Sequence, residues 1–369
     1  MISFSGFQML NKNMQHDFFL SITFAQMSTS KKIESLQELG EFGLIDRISK
    51  KIKSYQESTI LGPSDDAGIV AHEKNTLVSS DLLIEGIHFD MTYTPLKHLG
   101  YKSVVVNLSD IYAMNAKPKQ ITVSLGFSSK YTLEAIDELY DGILLACKKY
   151  NVDIIGGDIS SSPFGLIISV TALGENDENN IVKRSGAKEN DLIVVSGDLG
   201  GAYLGLTILQ REKEVWKSDP NMQPELDDFN YILQRQLKPE AREDVIQYLE
   251  KNKIKPTSMI DISDGLASEI LHLCKQSEVG CQLYEEKIPI DQQTYNTAMD
   301  FNLNPSTCAL NGGEDYELLF TINQKDFELV SKNTALSIIG HITKKESGYN
   351  LIGHGDTSIP ITAQGWSHL

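Results

Sequence analysis

Residues 96–127, LKHLGYKSVVVNLSDIYAMNAKPKQITVSLGF, decide the fold. Leu96 to Met114 is apolar over a length suited to a buried helix, with a polar break at Asn107, Ser109 and Asp110. Lys119 to Phe127 reads as a strand. A second helix, TLEAIDELYDGILLACKKY (132–150), opens at a Thr132 cap and carries Leu133, Ile136, Leu139, Ile143 and Cys147 on its apolar side. The strand VDIIGGD (152–158) follows it. The alternation continues outward in both directions. Upstream, Leu44, Ile45, Ile48, Ile52 and Tyr55 have helical spacing, and GIVAHE and TLVSSDLL read as short strands, the second delivering Asp81 at its end. Downstream, the strand GLIISVTALG leads into a polar junction, ENDENNIVKRSGAKEND (175–191). The pattern then restarts with DLIVVSG, a glycine-rich turn and a helix, followed by MIDISDGL, another helix, and YELLFTI. This predicts an α/β (α+β layered) protein of two domains, 35–174 and 181–369. Residues 1–34 are expected to be a disordered extension, with Met27 as the initiator, and Glu212 to Lys238 a polar, irregular surface insertion.

Composition narrows the partners. The chain of 369 residues has 41% hydrophobic and 22% charged content, and 33 basic against 50 acidic side chains leave a formal charge of -17. Such a surface argues against nucleic acid and anionic membranes, and a polyanion would bind only through metal ions. No apolar run reaches the roughly 18 residues that span a bilayer, so a cytoplasmic protein is expected. Cys147, Cys274, Cys281 and Cys308 have no C-x-x-C spacing and read as core residues in a reducing compartment.

The acids carry the functional signal. Asp65 and Asp66 are adjacent in GPSDDAG (62–68), and like charges ~4 Å apart repel by about 4 kcal/mol at an effective dielectric of 20. A cation is expected there. Asp66, Asp81, Asp110 and Asp158 each end or interrupt an apolar element, and such ends converge on the ligand-binding edge of α/β sheets. With Ser79 and Ser80 nearby and no Cys or His cluster, the set describes an oxygen site that favours Mg²⁺ and a polyphosphate ligand. The P-loop, the G-x-G-x-x-G spacing and the H-R-D and D-F-G signatures are all absent. Asp261, Ser263 and Asp264 stand at a helix start that welcomes anions, although Asp264 alone also reads as an N-cap. Glu314 and Asp315 lie on a glycine turn before a strand, and Glu314 has no local structural reason to be there. His88 has a structural reading beside a catalytic one, and Arg184 a solvated reading beside a role at phosphate.

In this order, SDDAG, SSDLLIEGIHF, NLSDIYAM, IIGGDIS, VKRSGAKENDLIVVSG, IDISDGLASEI and GGEDYELLF closely resemble the motifs of the thiamine-monophosphate kinase family, from about Gly40 to the C-terminus. That family lies in a superfamily with aminoimidazole ribonucleotide synthetase and selenophosphate synthetase. The resemblance implies an N-terminal domain whose sheet pairs in a homodimer barrel, a C-terminal α/β domain beside it, and ATP with several Mg²⁺ ions between them. It implies a metal set of Asp65, Asp66, Ser79, Ser80, Asp81, Asp110, Asp158, Asp261 and Asp264. Gly157, Asp158, Arg184 and Ser263 correspond to ATP contacts; His88, Glu314 and Trp366 correspond to contacts with thiamine monophosphate. The implied reaction is direct in-line transfer of the ATP γ-phosphoryl group to thiamine monophosphate, the last step of thiamine diphosphate biosynthesis, with no protein base. Two departures are Ser64 and Asn115, where the family usually has Gly. Two other functions remain open at this stage. One is a related synthetase; selenophosphate synthesis would call for an early reactive cysteine, and the first here is Cys147. The other is a non-catalytic nucleotide or metal scaffold, which would release no ADP.

Overall fold

The computed structural model describes residues 36–63 and 67–363. The expectations for the extension 1–34 and for Ser64, Asp65, Asp66 and Trp366 fall outside the described residues.

Helix α1 (Leu36–Ser49) bends at Gly40. It ends earlier than its apolar spacing predicts, because Lys51 and Ile52 N–H groups bond back only three residues, to Ile48 and Ser49, and close the last turn. Ile52 and Tyr55 therefore lie beyond it. A short hairpin of β1 (Thr59–Leu61) and β2 (Ile69–Val70) follows. The first large layer consists of β3 (Asn75–Ile84), α2 (Leu96–Ala113), β4 (Lys117–Phe127), α3 (Leu133–Tyr150), β5 (Asp153–Ser161) and β6 (Ile167–Asn176). Its sheet order is β3-β6-β4-β5, antiparallel except for the β4/β5 pair, which the α3 crossover joins in parallel.

Helix α2 lies across β3, β6 and β4 and runs along α3. The two helices meet backbone to backbone: a Cβ on Gly100 would sit 2.0 Å from the Leu139 carbonyl oxygen, and one on Gly142 1.9 Å from that of Lys97. Val104, Val105, Leu108 and Ile111 of α2 bury against Ile121, Val123, Ile168 and Val170 of the sheet. The other sheet face has no covering layer among the described residues, and Val78 and Leu82 remain 65% and 48% exposed. Just after α2, Asn115 takes the left-handed conformation (φ 58). Glycine is at home there, and Asn is among the few side chains that tolerate it, so this departure from the family pattern keeps the turn.

The second half forms a seven-stranded sheet in the order β13-β12-β9-β11-β7-β10-β8. Its strands are β7 (Leu192–Ser196), β8 (Ser258–Ile262), β9 (Gly280–Tyr284), β10 (Glu317–Ile322), β11 (Leu336–Thr343), β12 (Tyr349–Ile352) and β13 (Ser358–Pro360). Strand alternation splits its residues between two cores. Val194, Met259, Leu318, Phe320 and Ile322 share the core of the first half. Ile193, Val195, Ile260, Ile262 and Leu319 pack instead with α7 (Leu266–Ser277). The polar junction 175–191 is stitched to both layers, with Val182 N–H donating to Met114 O and Met259 N–H to Lys183 O.

The segment from Glu212 to Lys238 is not an irregular insertion. Helix α4 (Gly201–Ser218) runs into it, and α5 (Asn230–Leu237) forms within it, burying Ile232, Leu233, Gln236 and Leu237. These four positions follow one helical face, but eight residues are too few for the period to stand out among polar neighbours. The remaining helices are α6 (Glu243–Lys251), α8 (Gln292–Asp300), α9 (Pro305–Asn311) and α10 (Phe327–Ser331). All four cysteines are buried and unbridged. No helix of the described residues is long and apolar enough to cross a membrane.

Candidate active site

Strand β3, helix α2 and strand β8 bring three of the expected acids together. Asp110 interrupts its helix as the sequence reading has it, whereas Asp81 is not at the end of its strand and Asp261 is not at a helix start. Asp81 lies within β3, Asp110 within the last turn of α2 and Asp261 within β8 rather than at a helix start. They converge because α2 packs on the inner face of β3 and against β8. Ser79 donates its hydroxyl to Asp110. Ser109 donates to Asp261 at 2.6 Å, and Asn107 Oδ1 accepts the Asp81 N–H at 3.0 Å. The polar break in α2 is thus the part of the helix that faces the acids.

Electrostatically the cluster is poised for a cation. Burial, then the charge of Asp110, raises the Asp81 carboxyl to about 6. Burial also raises Asp110, against the Ser79 hydrogen bond and the positive charge of Arg184. Asp261, fully buried, is raised well above the usual carboxylate range by burial and then by Asp110. Among the described residues, no three of His, Cys, Asp and Glu already stand close enough to hold a metal ion by themselves. The donors are all oxygens, which suits a hard cation whose shell is completed by phosphate and water.

Ser80 is placed differently from its neighbours. The two-residue period turns it to the open side of the sheet, where its hydroxyl meets Thr171 Oγ1 at 2.9 Å. Asp158 and Gly157 lie on β5, at the opposite edge from β3. Asp81 pairs across the sheet with Val170, Val170 with Val123, and Val123 with Gly157. Three strand spacings, about 14 Å, therefore separate the two edges within one chain. The hairpin flanking GPSDDAG also sits beside β5, where a Cβ on Gly68 would lie 2.4 Å from Ile155 O.

The loop after β8 joins the acids to the second half of the site. Its helix is capped by Gly265, so Asp264 is not the N-cap. Glu269, not singled out in the sequence, accepts the Asp264 N–H at 2.9 Å, and burial raises its carboxyl to about 7. Arg184 is exposed and acts electrostatically on both Asp110 and Glu269. Ser263 O accepts the Glu314 N–H at 2.7 Å, which ties the GGED loop to this corner. Glu314 has φ 65 and Tyr316 φ 52, and non-glycine residues in this region persist only where their surroundings hold them. The Glu314 carboxylate faces Lys102 Nζ at 3.0 Å and Gln236 Nε2 at 2.7 Å. His88 Nδ1 accepts the Ile84 N–H at 3.1 Å, which puts the proton of the neutral ring on Nε2.

Asp315 has a structural task. Fully buried, it accepts the N–H groups of Gly200 and Ala202 at 2.8 and 3.3 Å and so caps α4 from a distance. Glu317 beside it receives Arg235, Arg242 and the Ser196 hydroxyl. Gly197, at φ 56, leaves the room this carboxylate needs, since a Cβ there would lie 2.3 Å from Glu317 Oε1.

Residues 64–176 match the N-terminal domain of AIR synthase related proteins and residues 188–354 their C-terminal domain. The thiamine-monophosphate kinase of Buchnera aphidicola subsp. Schizaphis graminum is 36% identical over 90% of this chain and 99% of its own. That of Aquifex aeolicus is 34% identical over 90% and 99%. Among solved structures, AaThiL complexed with AMPPCP and TMP is 32% identical with a TM-score of 0.70, covering 94% of this chain and all of that one. The hydrogenase maturation protein HypE, bound to ATP, shares the fold at 17% identity and a TM-score of 0.66.

Proposed function

This chain belongs to the thiamine-monophosphate kinase family, and from that membership we propose that it transfers the γ-phosphoryl group of ATP to thiamine monophosphate, giving thiamine diphosphate and ADP. The observation that carries the reading is the meeting of Asp81, Asp110 and Asp261 beside Arg184, one loop away from Glu314. The AaThiL complex supports it, since that relative holds AMPPCP, an ATP analogue, together with TMP.

Asp81, Asp110, Asp261, Asp264 and Ser79, with Asp65 and Asp66, would hold Mg²⁺, which supplies charge neutralisation and alignment for an in-line displacement. Arg184, Ser263 and Gly157 would bind the nucleotide. His88, through Nε2–H, and Glu314 would bind thiamine monophosphate, with Trp366 completing that pocket. Ser80, turned away, fits the metal set poorly. We place the domains at 35–174 and 181–369, and a kinase working on cellular ATP belongs in the cytoplasm.

No protein base is required. The acceptor is a phosphate monoester whose second pKa is about 6, so at neutral pH its oxygen is already a nucleophile. Incubation with ATP, Mg²⁺ and thiamine monophosphate is expected to yield thiamine diphosphate, whereas free thiamine should react more slowly by about three orders of magnitude. Comparable turnover on thiamine would overturn the chemistry.

The same sheet supports a homodimer. Its uncovered face and its two edge strands, β3 and β5, suit closure with a second copy into a barrel. A second copy would also bring its β5 edge, with Asp158, alongside β3, which one chain keeps at the opposite edge. Mixing Asp81→Asn with Asp158→Asn protein, after subunit exchange, should restore about a quarter of wild-type activity, because half the dimers would hold one intact site of two. Absence of recovery would mean that both acids act within one chain.

A further inference from the structure

We propose that Lys102 is a positioning residue for substrate binding, holding the Glu314 carboxylate in the orientation that meets thiamine monophosphate. The inference rests on Glu314 being a substrate contact. Its own support is the geometry around that carboxylate. The Lys102 side chain, on α2, is 6% exposed, whereas that of Glu314 is 27% exposed. The lysine is therefore sealed behind the carboxylate and does not itself reach a ligand. Its ammonium has two anchors, the Gln236 carbonyl at 3.0 Å and Glu314 Oε1 at 3.0 Å. Gln236 then donates its own amide to Glu314 Oε2 at 2.7 Å. Each carboxylate oxygen is gripped by a different element, Oε1 by α2 and Oε2 by α5, and the two grips are joined through Gln236.

A carboxylate held in this way has little rotational freedom left. Its remaining lone pairs can only accept, so it presents a fixed pair of acceptors to an N–H donor on the substrate. The backbone needs the same support, because Glu314 stands in the left-handed region with Tyr316 two residues on. Lys102 also sits eight residues before Asp110 on α2, a rise of about 12 Å. One rigid helix thus sets the distance from the substrate carboxylate to the acid cluster. A lysine with only a packing role would have no need of both partners.

The test is steady-state kinetics on Lys102→Met, Lys102→Gln, Glu314→Gln and the Lys102→Met/Glu314→Gln pair, with thermal unfolding to confirm that each is folded. Lys102→Met is expected to raise KM for thiamine monophosphate by about 20-fold, the loss typical of a charge-assisted contact. It should change kcat and KM for ATP by less than about threefold. Lys102→Gln, which retains a neutral donor and guards against a failure to fold, should lie in between. In the Glu314→Gln background, Lys102→Met should add little, because the group it positions has already changed. An equal loss in both backgrounds, or a parallel loss of kcat and ATP binding, would overturn the proposal while leaving Glu314 as a substrate contact. An unchanged KM for thiamine monophosphate in Glu314→Gln would instead remove the substrate reading on which the proposal stands.

Discussion

Replacing Asp261 by Asn is expected to lower kcat by about 10²–10³-fold, the range seen when one preorganised electrostatic contact is lost, while making the metal-free protein more stable. The two effects share one cause. Asp261 is fully buried between Asp110, Asp81 and Glu269, and only the Ser109 hydroxyl favours its charge. Asn keeps an acceptor for Ser109 and removes the repulsion. A stabilisation of about 1–2 kcal/mol, or roughly 1–3 °C in Tm, is reasonable for a chain of this size. Mg²⁺ and ATP should raise the Tm of the wild type, whose acids they neutralise, more than that of the variant. Scanning fluorimetry with and without Mg²⁺–ATP, beside a turnover assay, reads both effects. Wild-type turnover in the variant, or a lower metal-free Tm, would sink the assignment of Asp261 to a cation-binding cluster.

Glu317→Ala should act in the opposite sense, costing about 3–5 kcal/mol of stability. The side chains of Glu317, Arg235 and Arg242 are 2%, 14% and 12% exposed, and Glu317 is the carboxylate that both guanidiniums address. Its removal leaves Arg235 with two backbone carbonyls, of Asp198 and Asp315, and a long contact to the Asp315 carboxylate, and Arg242 with Asp244 at the surface. Because the acid cluster is untouched, the fraction that remains folded should still turn over. Urea unfolding measures the loss, and a change below about 1 kcal/mol would show that this network is not a stabilising centre.

The two residues differ in how far the sequence reveals them. Asp261 is legible because IDISDGL is a motif, yet the sequence reading places it at a helix start, whereas it lies inside β8. Likewise the alternation of helices and strands announces the α/β layering, but not which faces meet. The two-residue period of β3 separates Ser79 from Ser80, although both stand in one motif. Glu317 sits in YELLF and reads as an ordinary strand residue, because its arginines come from α5, in a segment that looks irregular, and from the start of α6. Ser109 and Asp261 are 152 positions apart, and Gln236 and Glu314 are 78 apart. Such pairings are set by packing, and a local pattern carries no trace of them.

Helix α2 puts several separate demands on one rigid body. It carries the clamp on Glu314, the amide beside Asp81, the hydroxyl on Asp261 and Asp110 itself, and the Gly100 and Gly142 notch seats it against α3 with no room for a methyl group. A small rotation or shift to suit a new acceptor would move the acid cluster at the same time. A change of acceptor within this architecture therefore requires α2, α5 and the loop that presents Glu314 to move together, since Lys102, Gln236 and Ser263 tie them to one another.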